Sequence, residues 1–345
     1  MTHIETYTPQ FIPQIKKLQT IIQNNESFLL VGHSKPDGDC LGSMLALGHW
    51  IQKQGKQVYY TASRGHVPSI NWVWGSQKLQ YFVDNPNYQL PETQVVVMLD
   101  HCASNQRSDL EEILTEYIKN KITVCIDHHV NTPLPTQCSL IDTTSSSASE
   151  WVWEILNYLD PQNIDEQIAT RCLLGLITDT GGSAWLEHEK DSIRSYENAL
   201  AMIKDGADKK TIVQKLNEVI PAQLEYAKVM FNNIQFTKNC LWVIVEGEEL
   251  EKFGLDSEQA GLAFNIMKKA VGKDVIAKFT HQGDARYGSL RTATNIDVQQ
   301  IAAGFGGGGH VKAAGFRIQA DYTREDIEAI MAQIEQRVAL QKNNL

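Results

Sequence analysis

The segment HSKPDGD, His33 to Asp39, sets one imidazole and two carboxylates within seven positions, directly after the apolar run FLLVG. Two acids and a histidine at a buried edge need a cation or an ion-pair partner to offset desolvation, and the only base nearby is Lys35. The segment reads as half of a metal site. A competing reading is a helix N-cap, with Asp39 or Ser43 capping a helix that continues through Met44 to Trp50. Two further sets follow: QVVVMLD ends in Asp100, and KITVCIDHH ends in Asp127, His128 and His129. Three apolar segments that each end in metal-ligand side chains point to one shared site. Asp179, in TDTGG, reads alone as a turn residue, and beside the other sets as the remaining carboxylate of a two-metal cluster.

These side chains need elements to hold them. FLLVG, QVVVM and ITVCI are short and rich in aliphatic and β-branched residues, the pattern of strands buried on both faces. Pro36 and Gly38 force a turn after the first, so the candidate ligands fall at the carboxyl ends of strands, where open α/β sheets place their sites. Helices are expected over 9–23, 44–54, 108–120 and 150–159, the last capped by Ser147 or Ser149, with a strand over 56–62 completing a β-α-β unit. The aromatic stretch INWVWGSQKLQYFVD is assigned to core or lid. The expected class is α/β, in two domains. Residues 1–205 form a metal-binding domain with a mainly parallel sheet flanked by helices, 206–222 a polar linker helix broken at Pro221, and 223–345 a smaller α/β domain.

Length supports that division, because 345 residues exceed the roughly 250–300 at which a single core stops growing. A net charge of −10 argues against a long basic track for nucleic acid but leaves room for a small anionic substrate, since bound cations would invert the local field. No apolar run approaches the roughly 20 residues of a membrane span, and the first residues lack the basic and apolar regions of a signal peptide, so a cytoplasmic protein without membrane partners is expected. Six cysteines without a C-x-x-C pair predict reduced thiols. FGGGGH, Phe305 to His310, has the composition of a flexible linker, but linkers are rarely enclosed by apolar helical sequence such as VQQIAAGF and VKAAGFRI, so beside Arg291 and His310 it reads as a loop whose N–H groups bind an anion. Arg107 is a second candidate phosphate contact or an exposed surface arginine.

In this order, HSKPDGD, the strand-terminal Asp100, DHH at 127–129 and TDTGG at 178–182 resemble the successive motifs of the DHH phosphoesterase family. The segment YGSLRTATNIDVQQIAAGFGGGGHVKAAGF resembles the DHH-associated type 1 domain with its GGGH signature, so the resemblance spans nearly the whole chain. Within the family, the combination and length resemble the small stand-alone nanoRNases that are also phosphatases of adenosine 3′,5′-bisphosphate (pAp). The resemblance implies an active site in the cleft between the domains and two Mn²⁺ per chain, with Mg²⁺ or Co²⁺ as substitutes. His33 and Asp37 would hold one ion, Asp39, His128 and Asp179 the other, and Asp100 would bridge them. The mixed imidazole and carboxylate set agrees with manganese, and no thiolate ligand points to zinc. A hydroxide shared by both ions would be the nucleophile. Asp127 would support a histidine ring or the strand end, and His129 would contact the scissile phosphate, its role as proton donor left open. Cys40 stands where the family usually has a small residue. Ser43, Arg107, Arg291, Gly307, Gly308, Gly309 and His310 would contact substrate.

The implied substrates are short RNA or DNA oligonucleotides and pAp or pApA. The implied molecule is a monomer or homodimer with no obligatory protein partner. A cyclic di-AMP or pApA phosphodiesterase shares every one of these motifs. A RecJ-type long-strand exonuclease needs more chain and a basic track, a non-catalytic scaffold would lack the carboxylates, and an inorganic pyrophosphatase would lack the glycine signature.

Overall fold

The computed structural model describes residues 2–34, 36–62, 71–73, 75–81, 87, 89–101, 111–129, 135–182, 189–246, 250, 252–255, 260–270, 272–282, 285–319 and 321–343. The chain divides into two units, Met1–Asn217 and Glu218–Leu345, each with its own apolar core.

The first unit runs α1 (His3–Tyr7), α2 (Ile12–Asn24), β1 (Ser27–Val31), α3 (Gly38–Lys53), β2 (Gln57–Ala62), β3 (Leu79–Tyr81), β4 (Val95–Leu99), α4 (Glu111–Ile118), β5 (Ile122–Asp127), β6 (Cys138–Ile141), α5 (Ala148–Leu159), α6 (Glu166–Asp179), α7 (Glu189–Lys204) and α8 (Lys209–Leu216). Its six strands pair in parallel in the order β3-β2-β1-β4-β5-β6. Strand order therefore reverses between β1 and β4, the switch point that leaves a crevice at the carboxyl edge of such sheets. The β4 segment is buried throughout, and β1 at all but its first residue, which explains why both read as continuous apolar runs. The register Leu30↔Val97 and Val97↔Val124 brings the carboxyl ends of β1, β4 and β5 level with one another.

On one face α3, α5 and α6 pack closely. Gly175 on α6 makes this possible: a Cβ there would meet the Ser149 hydroxyl at 1.9 Å and Asp39 Oδ1 at 2.7 Å. Helix α6 is started by Asp165, whose Oδ1 accepts from the Gln167 and Ile168 N–H groups at 3.1 and 3.0 Å. Its last residue is Asp179.

The second unit runs α9 (Pro221–Asn232), β7 (Gln235–Phe236), β8 (Cys240–Val245), α10 (Gly261–Met267), β9 (Val275–Gln282), β10 (Ala285–Arg291), α11 (Val298–Ala303), β11 (Gly308–His310), β12 (Ala313–Ile318) and α12 (Arg324–Asn343). Its sheet order is β11-β12-β10-β9-β8-β7, with only β8–β9 parallel. Alternation along β9 separates Val275, Ala277 and Phe279 into one core cluster from Ile276 in another.

Several expectations change. Pro221 opens α9 at a position where the missing N–H is not needed, rather than marking a break inside a linker helix. The glycine run is partly a strand: Gly308–His310 pairs with Ala313–Gly315. Strands β3, β6 and β7 are short enough to lack a readable period. Among the described cysteines, Cys40, Cys138, Cys172 and Cys240 are free, whereas Cys125 is disulfide-bonded, which corrects the expectation of six reduced thiols. Among the described residues, no helix is long and apolar enough to cross a membrane.

Candidate active site

Strand β1 delivers His33, and the turn after it delivers Asp37 and Asp39. Asp37 is the N-cap of α3, its Oδ1 accepting from the Asp39 and Cys40 N–H groups at 3.0 and 3.1 Å. The capping role thus falls on Asp37 and not on Asp39 or Ser43. Asp39, 1% exposed, points into the protein at the start of α5, where Ala148 N–H donates to Oδ2 at 2.7 Å and Ser149 N–H to Oδ1 at 2.8 Å. A carboxylate at a helix N-terminus is favoured by the free N–H groups and the helix dipole.

Asp100 follows β4 with φ 61°, and among the described residues it is the only non-glycine in the left-handed region. Such a backbone costs an aspartate on the order of 1 kcal/mol and persists where the surroundings over-determine it. Asp100 stands at the centre of the cluster: Oδ2 lies 3.5 Å from His33 Nε2, and Oδ1 lies 3.6 Å from His128 Nε2 and 3.5 Å from His129 Nδ1. His128 Nε2 also lies 3.7 Å from Asp39 Oδ2 and 3.5 Å from Asp179 Oδ2. Three groups of donor atoms each fit within 4.8 Å: His33, Cys40 and Asp100; Asp100, His128 and His129; Asp39, His128 and Asp179.

The histidine rings are oriented from behind. His128 Nδ1 faces the Ser145 carbonyl at 3.3 Å, which directs Nε2 toward the carboxylates. His129 Nδ1 is 2.8 Å from Asp127 Oδ1, and the same oxygen accepts from the backbone N–H groups of His128 and His129 at 2.8 and 3.2 Å. Asp127 therefore supports the His129 ring and the strand end, while the His128 ring is held by a carbonyl.

Electrostatics follow from this crowding. Burial, then the Asp100 and Asp179 carboxylates, raise the pKa of Asp39. Burial pushes Asp179 up to about 6, with Asp100 and Asp37 adding to it against His128. Burial opposes the imidazolium of His128, but Asp100, Asp39 and Asp179 outweigh it and raise the ring to about 10. Asp100, despite its burial, is held below the usual carboxylate range by the neighbouring His128 and His33 rings. Three carboxylates share this pocket, and Asp100 Oδ1 and His128 Nε2 are buried without a hydrogen-bond partner. Carboxylate and imidazole groups packed this closely, with two buried ligand-type atoms left unpartnered, are what a divalent cation would satisfy, so the residues fit a metal centre.

Other expected residues are placed as follows. Ser43 is fully buried inside α3 and donates its hydroxyl to the Cys40 carbonyl at 3.0 Å, a helix-internal role rather than a surface contact. Arg107 lies outside the described residues. Arg291 ends β10, and its Nη1 donates to the Leu290 carbonyl at 2.9 Å. In the glycine run, Gly309 has φ 137°, and a Cβ on it would meet the Ala313 carbonyl at 2.6 Å, so the run is shaped by close approach to β12. Gly307 likewise abuts the Gly315 carbonyl, while Gly308 opens onto free space. His310 contributes its backbone to β11.

Sequence reasoning missed three features. The Cys40 sulfur shares a compact group with His33 and Asp100, although burial pushes the thiol up to about 11. His101, fully buried, places its ring edge-on to His33 with 6.5 Å between centroids. In the second unit, Lys278 on β9 pairs with Ser289, two residues before Arg291 on β10, and Lys268 follows α10. Burial and then Arg291 lower the pKa of both lysines, and Lys278 lies 5.2 Å over the Phe264 ring. A lysine in an alternating strand reads as a solvated face, so only the fold could show this trio. A cavity of about 370 Å³ lined by Trp72, Gln167, Arg171 and Lys215 holds none of these residues.

Residues 27–176 match the model of the DHH family, N-terminal domain, and residues 238–340 match that of the DHHA1 domain. The chain belongs to the DHH family. This DHH-family chain is 23% identical over 332 residues to the bifunctional oligoribonuclease and PAP phosphatase NrnA of Mycoplasma pneumoniae, covering 94% of this chain and 97% of that protein. It is 22% identical to the cyclic-di-AMP phosphodiesterase GdpP of Bacillus subtilis, covering 92% of this chain but 49% of that one. Its fold is similar to that of an exopolyphosphatase-related protein from Bacteroides fragilis, with a TM-score of 0.85 at 22% identity over 96% of this chain and 98% of the other.

Proposed function

We propose that this chain is a metal-dependent phosphoesterase that hydrolyses short oligonucleotides to 5′-mononucleotides and removes the 3′-phosphate of pAp to give AMP. The chemistry rests on one observation: Asp100, held at φ 61°, with one oxygen near His33 and the other near His128 and His129. A single carboxylate shared in this way suits two adjacent cations. His33, Asp37 and Asp100 would hold one, and Asp39, Asp100, His128 and Asp179 the other. The mixed imidazole and carboxylate donors suit Mn²⁺, with two ions per chain. When bound, the ions supply Lewis acidity toward a phosphoryl oxygen and acidify water.

The chain's own residues do the rest. Asp127 orients His129 and, as the largest of several influences, raises its pKa, so the ring favours the cationic form that attracts a phosphoryl oxygen. In the second unit, Lys268, Lys278 and Arg291 would hold a terminal phosphate, because Arg291 disfavours the charged form of both lysines and an anion would relieve that repulsion. The substrate class is supported by end-to-end similarity to the NrnA relative, against half-length similarity to GdpP.

The test is turnover with Mn²⁺ on pAp, pApA, cyclic di-AMP, a five-nucleotide RNA and a long single-stranded DNA. Hydrolysis of pAp and the short RNA without opening of cyclic di-AMP is the expected result. Efficient opening of cyclic di-AMP, or pApA far outrunning the rest, would assign the chain to second-messenger turnover instead.

A further inference from the structure

Behind Asp39 and His128 lies a buried ionic network that the proposed phosphoester chemistry does not use. Arg194 on α7, 3% exposed, donates through Nη2 to Asp142 Oδ2 at 2.8 Å and Glu154 Oε2 at 2.6 Å, and through Nε to Glu154 Oε1 at 2.8 Å. Asn198, one turn further along, donates to Glu150 Oε1 and Glu154 Oε1 at 2.9 and 2.7 Å. The other oxygen of Glu150 accepts from Ser146 N–H at 2.8 Å and the Ser145 hydroxyl at 3.2 Å. Helices α5 and α7 thus grip one face of the segment 142–147.

The opposite side of that segment carries the site. The Ser145 carbonyl faces His128 Nδ1, Asp142 N–H donates to the Asp127 carbonyl at 3.0 Å, and the segment ends in the Ala148 and Ser149 N–H groups that bind Asp39. Burying a guanidinium with three carboxylates costs several kcal/mol of desolvation per ion, and apolar packing of equal volume is commonly as stable. Stability alone is a weak reason for such a network. Its planar fork does something apolar packing does not: it ties a loop carboxylate and a helix carboxylate to one rigid plane.

We propose that Arg194 is a positioning residue for the metal centre, tying Asp142 to Glu154 so that segment 142–147 keeps the Ser145 carbonyl on His128 and the α5 N-terminus on Asp39. The inference rests on the metal-centre reading above. It predicts that loosening the network weakens the cation held by Asp39, His128 and Asp179 and spares the one near His33.

The experiment is Mn²⁺ binding to the full chain, followed by electron paramagnetic resonance of free Mn²⁺ and by calorimetry, for the wild type, Arg194→Lys and Glu150→Gln. Arg194→Lys keeps the charge and loses the fork, and Glu150→Gln keeps the shape and decides the matter if the first variant does not fold. Two sites in the wild type, with one weakened about 10- to 100-fold in a folded variant and the other unchanged, is the expected result. Equal weakening of both sites together with a lowered Tm would reduce the network to fold stability and overturn the proposal. Unchanged affinities in folded variants would overturn it as well. A wild type that binds no Mn²⁺ would instead remove the metal-centre reading, and the positioning role with it.

Discussion

At the scale of residues, Asp100 concentrates the argument. Its type was readable as the acid ending an apolar run, but its left-handed backbone was not, because nothing in QVVVMLDH forces φ above zero. The strain and the chemistry separate experimentally. Both Asp100→Ala and Asp100→Gly should lower turnover on every substrate by on the order of 10³-fold, as expected when a shared charge-stabilising group is lost. In thermal melts of the metal-free proteins, Asp100→Gly should be more stable than Asp100→Ala by roughly 0.5–1 kcal/mol, the reverse of the usual order, since only glycine adopts this φ freely. Near-normal turnover in either variant would end the two-metal assignment.

At the scale of elements, helix α6 links a surface cap to a site carboxylate. Asp165 caps its start and also receives Lys53 Nζ at 2.9 Å and His49 Nε2 at 3.0 Å, while Asp179 closes its end. Burial would raise the Asp165 pKa, but Lys53, the Ile168 N–H and His49 outweigh it and bring it down to about 2. A carboxylate depressed in the folded state stabilises fully above its unfolded pKa near 3.8 and loses that contribution as pH falls through about 2. Asp165→Ala should therefore lower stability by about 1 kcal/mol at neutral pH, the ordinary worth of an N-cap. The gap between variant and wild type should close between about pH 4 and pH 2, which melts across that range would show. A constant gap would mean that the charge contributes nothing and only the cap's shape does.

At the scale of the whole molecule, the carboxylates of Asp39, Asp100 and Asp179, the first two buried, lie around His128, and a bound cation should stabilise the fold. Mn²⁺ at 100 times its dissociation constant should add about 2.7 kcal/mol of stability per site, seen as a rise in Tm that excess chelator reverses. Titration of Tm against Mn²⁺ checks this without any substrate. An unchanged Tm across the titration would contradict a centre built from Asp39, Asp100 and Asp179. The overall charge of −10 does not oppose binding of a small anion, because bound cations would invert the field locally.

The sequence by itself determined the α/β class, the strands that end in acidic and imidazole residues, and the family, because both-face burial imposes apolar runs and these residue types follow those runs at fixed places. It could not assign partners. Asp37 rather than Asp39 caps α3, Asp127 meets the His129 ring while the Ser145 carbonyl meets the His128 ring, and Ser43 turns inward, since each depends on where a side chain meets another segment. For the glycine run the flanking apolar sequence favoured an ordered loop over a linker, but its pairing with β12 came only from the fold. Tertiary structure alone brought Arg194 to Asp142 across 52 positions and Asp39 to Ser149 across 110. Contacts so distant along the chain leave no local period or spacing, and only the packing of helices against the sheet brings them together.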